Sequence, residues 1–221
     1  MARGLATALA LVACAAAVQA HMVYVVPAKD GQWLTVVFSD SLEPDEKVKM
    51  GKLAGLKLVA RIDGKDVPVE YTKADHSFTA KPPKGASVVY GTAVYGLLTK
   101  SEKPTLLVYH PKAVLGGAGA KSATVGEAAA LEIVPVTEAG KTRFQLLAKG
   151  KPVAGAEGTV VLPNGTKGKV TTDKDGYTPG FEKTGRYTVY LKLVETKAGE
   201  HECKKYEEIR HYATLVADLG K

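Results

Sequence analysis

The feature that most constrains this chain is its punctuation. Short runs rich in Val, Tyr, Thr and Leu are broken at close intervals by Gly, Pro, Asn and Asp. β-branched and aromatic residues suit a pleated, half-buried surface, and the punctuating residues suit turns, so the pattern reads as many short strands. Expected strands are 22–26, 33–38, 56–62, 67–71, 77–80, 87–94 and 105–109, then 131–136, 142–148, 156–162, 169–172, 185–194 and 209–217. Asp63-Gly64, Pro163-Asn164-Gly165 and Asp173-Lys174-Asp175-Gly176 are expected turns, because Asp, Asn and Gly tolerate positive φ. The fold class is therefore all-β.

Between the two sets of strands lies Leu115–Ala130, a stretch of small residues nearly devoid of large apolar side chains. It reads as a flexible linker. The expected organisation is two small β-sandwich domains, 21–114 and 131–221, joined by residues 115–130. Ser41–Lys52 is charged and reads as an exposed loop or a short helix; its Glu43, Asp45 and Glu46 lack the spacing of a calcium loop. Asn164-Gly165-Thr166 has the form of a glycosylation sequon, which the turn already explains.

Residues 1–20 are set apart. Arg3 precedes an apolar run from Leu5 to Val18, which ends in Val18-Gln19-Ala20. A charged start, a short apolar core and small residues at a cut describe a secretory signal peptide, with cleavage expected between Ala20 and His21. The competing reading is a lipobox at Leu11-Val12-Ala13-Cys14, with Cys14 lipidated; the apolar run continuing past Cys14 speaks against it. The expected location is the periplasm or the medium. Cleavage removes Cys14 and leaves Cys203 without an intramolecular partner, so the exported protein must be stable without a disulfide.

The chain carries a formal charge of +7, thinly spread, with aromatic residues at 7%. Nucleic-acid binding needs a basic stripe with stacking aromatics, and no such stripe is present. No Gly-x-Ser-x-Gly, Walker loop or His-Glu-x-x-His occurs, so hydrolytic and nucleotide chemistry lack support.

The chemical inventory is the five histidines: His21, His76, His110, His201 and His211. Imidazole suits nickel, copper, zinc and iron. Cleavage before His21 would free an α-amine beside its imidazole, and the two could close a chelate ring on one ion. Both lose their protons near neutrality, so a metal competes there at ordinary pH. One further imidazole would complete a three-nitrogen set of the kind Cu(II) and Ni(II) favour. His211 is the expected partner. It shares a strand face with Ile209, Ala213 and Leu215, where, taken alone, a buried core histidine is the stronger reading. His201, near Cys203, lies between the last two strands, beside Lys204 and Lys205, which would repel a cation. His76 follows Asp75, which could orient its ring, or it is an ordinary surface residue. His110 precedes Pro111 at a strand end and carries no argument of its own. The expected metal ligands are His21, His211, His76 and His201.

Two resemblances follow from these residues. Gly150-Lys151-Pro152-Val153-Ala154-Gly155-Ala156, Val170-Thr171-Thr172-Asp173-Lys174-Asp175-Gly176 and Gly185-Arg186-Tyr187 resemble the transthyretin-like, or carboxypeptidase-regulatory-like, sandwich. Over roughly 21–219 the chain is similar to the bacterial extracytoplasmic nickel-uptake substrate-specific family (NikM-like or NikK-like). The matching features are His21–Pro27, Leu131-Glu132-Ile133-Val134-Pro135 and Arg210-His211-Tyr212-Ala213-Thr214-Leu215. That resemblance implies a carrier or transport accessory for nickel, cobalt or copper, without catalysis, serving a membrane metal transporter. Two other readings stay open. One is a non-catalytic envelope module contacting protein or polysaccharide without metal. The other is a copper oxidase resembling polysaccharide monooxygenases, which the expected linker and the single tryptophan, Trp33, disfavour.

Overall fold

The computed structural model describes residues 21–99, 101–116 and 120–220. The signal-peptide and Cys14 readings fall outside these residues. The described chain is all-β, with helical content limited to three short turns, Met50–Leu53, Ala120–Ala123 and Gly126–Ala128. No described helix is long and apolar enough to cross a membrane.

The first half supplies β1 (Met22–Pro27), β2 (Leu34–Ser39), β3 (Lys57–Ile62), β4 (Lys65–Pro68), β5 (Tyr71–Lys73), β6 (Ser77–Ala80), β7 (Val88–Leu98) and β8 (Thr105–Val114). The second supplies β9 (Glu132–Glu138), β10 (Lys141–Ala148), β11 (Lys151–Pro152), β12 (Glu157–Val161), β13 (Lys167–Thr171), β14 (Gly185–His201) and β15 (Lys204–Leu219). They form a four-stranded sheet, β1-β2-β6-β5, a three-stranded sheet, β11-β10-β9, and an eight-stranded sheet, β13-β12-β14-β15-β8-β7-β3-β4. Among the described residues all strand pairings are antiparallel except β15 with β8, which run parallel from Glu208↔Thr105 to Ala217↔Val114.

That parallel pairing joins strands from both halves in one sheet. Side chains alternate across a strand, and the two cores follow the alternation. Tyr109 and Ala113 of β8, with Val216 of β15, belong to the core shared with β1, β2 and β6. Val114 of β8, with Ala213, Leu215 and Ala217 of β15, belongs to the core shared with β9 and β10. The large sheet is thus a middle layer. The four-stranded sheet covers one face and the three-stranded sheet covers the other.

Several strands run beyond their expected bounds, β14 and β15 most of all, and two further differences have identifiable reasons. The run 67–71 divides: Val67 pairs with Ala60 in the large sheet, while Tyr71 pairs with Ala80 in the four-stranded sheet, so the chain changes layer there. β8 continues through Pro111 although proline lacks a ladder donor. Its ladder to β7 is interrupted between Tyr90↔Lys112 and Ala93↔Tyr109, so the missing N–H falls in a gap.

The described part of 115–130 is packed rather than free. Val125 and Ala129 are buried with Val88 against Tyr90. Glu132 accepts hydrogen bonds from the backbone N–H of Val125 (3.1 Å) and Gly126 (2.7 Å) and pairs with the Lys112 ammonium. Both members of that ion pair are 1% exposed. Small residues let this segment lie close to β7, and the buried carboxylate gathers its turn.

Candidate functional site

His21 stands immediately before β1, at the rim of the four-stranded sheet. Its Nε2 lies 3.0 Å from Asp45 Oδ2, and its ring packs 5.7 Å from that of Phe38. The Tyr109 hydroxyl donates to the His21 carbonyl at 3.5 Å, and the Thr214 hydroxyl donates to the Val23 carbonyl at 2.6 Å. The free edge of β1 is therefore capped by side chains of the large sheet, which fixes the backbone that carries His21.

Asp45 is itself oriented. Its Oδ1 accepts from the Lys47 N–H at 2.9 Å. The hydrogen bond from His21, then the Lys47 N–H, holds the Asp45 carboxyl below the usual carboxylate range. An ionised carboxylate only accepts, so His21 Nε2 carries the proton. In the neutral ring Nδ1 then bears the free lone pair.

His76 reaches the same turn from the bend just before β6. Its Nδ1 lies 3.0 Å from the Val48 carbonyl, which accepts only, so Nδ1 donates and Nε2 carries the lone pair. The pairings Met22↔Ser39 and Val37↔Ser77 put His21 and His76 at the same end of the sheet. They stand two strands apart, about 10 Å between backbones. The two histidines thus hold the turn Asp45–Val48 from its two sides.

His211 does not join them. Tyr212 stacks on Tyr109 at 5.5 Å, within the first core, so His211, next along the strand, points to the other face. The large sheet separates His211 from His21, and the expected three-nitrogen set of those two does not form. His211 instead meets His110, whose Nε2 lies 3.0 Å from His211 Nδ1. His211 Nε2 lies 3.4 Å from Glu195 Oε2, and His110 Nδ1 lies 3.4 Å from Thr92 Oγ1. One proton order satisfies the whole chain: Thr92 donates to His110, His110 to His211, and His211 to Glu195. The ring centroids are 5.2 Å apart, close to head-on for nitrogens 3.0 Å apart. An ion bound between head-on imidazoles needs two bonds of about 2.0–2.1 Å each, and a 3.0 Å gap cannot hold it. The pair is a hydrogen bond. Burial, then His211, pushes His110 down to about 3. Burial also lowers His211, against the opposing pull of Glu195.

His201 ends β14 opposite Lys204 at the tip of the long hairpin. Glu202 and Cys203 form the two-residue turn with φ of 50° and 60°, and Cys203 is exposed. The tip lies at the far end of the hairpin from its packed base. Among the described residues no group of three or more His, Cys, Asp or Glu side chains is placed to hold a metal ion. What the structure does bring together is narrower: His21 and His76 on one turn, each with one ring nitrogen tied and the other open.

Sequence reasoning did not identify Asp45 as a partner of His21, nor His110 as the partner of His211. For Asp45 the only local signal is Asp45-x-Lys47, the spacing of an Asx turn. For His110 the signal is parity, since it alternates with Leu106, Val108 and Lys112 on one strand face. No protein-family model matches the chain, and no curated protein matches it.

Proposed function

We propose that the mature chain is an extracytoplasmic metal-binding protein, a carrier or transport accessory for nickel, cobalt or copper. It captures the ion through the α-amine and imidazole of His21 after cleavage at Ala20. It performs no chemical transformation, and its partner is a membrane metal transporter. In this reading the two halves of the chain are sandwiches built on a common sheet and serve to hold the terminus rigid.

One observation carries the reading. Asp45 engages Nε2 of His21 and thereby leaves Nδ1, the ring nitrogen that can close a six-membered chelate with the residue's own amine. A carboxylate on the outer nitrogen of a ligating histidine fixes its tautomer and raises its basicity. His76, whose Nε2 is open, is the nearest candidate for a third nitrogen, reached by movement of the turn it shares with His21. His211 and His201 are not part of this proposal.

The test is calorimetric titration of the mature chain with Ni(II) and Cu(II). A protein beginning at His21 is expected to bind one ion. The same protein with an additional N-terminal Met is expected to bind at least tenfold more weakly, and Asp45→Asn about 10- to 100-fold more weakly. Equal affinity with and without the extra Met refutes the amine as a ligand. A processed terminus other than His21, found by intact-mass measurement, refutes the site.

A further inference from the structure

The His21 reading leaves the buried Lys112–Glu132 pair without a role. Lys112 stands in the middle of the large sheet, opposite Tyr90 of β7 on one side and Leu215 of β15 on the other. Glu132 opens β9, opposite Leu147 of β10. The Lys112 ammonium touches Glu132 Oε2, and both side chains are 1% exposed. Taking two charges out of water is expensive, and their mutual attraction repays it only where the geometry is excellent. Burial pushes the Lys112 ammonium down towards the neutral amine, against the pull of Glu132. A pair held dry in this way is also an amine and a carboxylic acid held against each other.

The surroundings of the carboxyl suit acyl transfer. The Gly126 N–H donates to Glu132 Oε1 at 2.7 Å, and the Val125 N–H donates to the same oxygen at 3.1 Å. Negative charge gathers on that oxygen when a nucleophile adds to the carboxyl carbon, and two backbone donors at this range form a hole for it. The Val125 carbonyl accepts from the Arg61 guanidinium, which polarises the Val125–Gly126 peptide and strengthens the Gly126 N–H as a donor. The nucleophile stands at the other oxygen, since Lys112 Nζ contacts Oε2. Groups fixed side by side react as though at an effective concentration of about 10⁵ M or more.

We infer that Lys112 and Glu132 condense into an intramolecular amide, an isopeptide bond that joins β8 to β9. The ammonium passes one proton to Oε2, and the neutral amine adds to Cδ. Collapse of the adduct breaks the Cδ–Oε2 bond, and Oε2 leaves as water with a second proton from Nζ. The third hydrogen stays on the amide nitrogen. Ammonium and carboxylate thus become amide and water, so charge balances and no further reactant enters. The product is neutral, which removes the cost of two buried charges. It also closes a ring around residues 113–131 and ties the two halves of the chain together. A cross-link of this kind restricts the unfolded chain as a disulfide does, in a protein whose Cys203 is a free thiol. The inference is independent of the His21 reading, since it needs neither the freed amine nor a metal.

The experiment is intact-mass measurement of the mature chain, followed by denaturation and tryptic mapping. The mass is expected to fall one water below that of the sequence counted from the observed N-terminus. Trypsin cuts after Lys121, between the two residues, and the peptides bearing Lys112 and Glu132 are expected to stay joined. The double variant Lys112→Met/Glu132→Gln replaces the ion pair with uncharged side chains of similar size and has no amine to condense. Its mass is expected to equal that of its sequence, with the two peptides separate. Three outcomes overturn the inference. One is a wild-type mass equal to that of the sequence, which marks a buried ion pair only. Another is a loss of water with the two peptides separate, as dehydration at Asp63-Gly64 would give. The third is joined peptides in the double variant.

Discussion

The His110–His211 pair makes the folded state sensitive to acid in a calculable way. His110 is 3% exposed and has a pKa near 3 in place of the ordinary 6.5. Its folded pKa is depressed, so the unfolded chain binds the proton first. The stabilising difference is present above pH 6.5 and is lost as pH falls below it. From pH 7.5 to pH 5 the linkage relation gives a loss of about 2 kcal/mol from this residue alone. The assay is urea unfolding of the mature chain and of His110→Gln at several pH values in that window. Glutamine retains an N–H donor for His211 Nδ1 but does not titrate. Both proteins share every depressed carboxylate, including Asp66 and Asp173, so the difference between their pH slopes isolates the imidazole. The wild type is expected to lose about 2 kcal/mol more than the variant between pH 7.5 and 5. Parallel slopes would refute the claim that His110 is held neutral by burial.

Other consequences are equally direct. Glu132→Gln strands the Lys112 ammonium in the interior and is expected to cost about 3–5 kcal/mol in chemical denaturation, whereas Lys112→Met with Glu132→Gln recovers part of that loss. Gly158→Ala would place its Cβ 1.9 Å from the Tyr190 carbonyl oxygen; the expected result is a drop in thermal midpoint of more than 5 °C, and an unchanged midpoint contradicts the β12–β14 register. Because β15 pairs with β8 over ten residues, the two halves are expected to unfold together, with calorimetric and van't Hoff enthalpies equal; two resolved transitions would show independent halves.

The strand content was legible because most strands obey a local rule. The Ser77–Ala80 boundaries come directly from alternation between turn signals, and Asp63-Gly64 turns as its residue types require. The shared sheet was not legible, because nothing local to Ile209–Ala217 records that its partner lies about a hundred residues earlier. The same residue types serve an edge strand and a central one. The segment 115–130 illustrates a second limit. A run of alanines and glycines reads as flexible when its energetic anchor, the Lys112–Glu132 pair, is contributed by the strands that flank it. Candidate ligands divide along the same line. His21 was marked by its place after the expected cleavage site, a local signal, and it stands in a defined environment with Asp45. His211 was paired with the wrong partner because alternation gives its face within a strand but not which layer that face meets.

The middle-layer arrangement bears on why a terminal residue could serve as a binding group at all. Chain ends fray unless they are tied down, and a frayed histidine loses entropy on chelation. Here each half supplies one tie: Thr214 of β15 reaches the Val23 carbonyl, and Tyr109 of β8 reaches the His21 carbonyl. Those two strands are the parallel pair that joins the halves. The second half therefore contributes no ligand to the terminus but, through Thr214, helps to fix the backbone that presents it. Thr214→Val tests this division of labour, since it keeps the shape and removes the hydroxyl. If the tie pre-organises the terminus, the variant holds its fold and its metal stoichiometry but binds Ni(II) or Cu(II) severalfold more weakly, with the loss in binding entropy. An affinity equal to the wild type's would show that β1 positions His21 unaided.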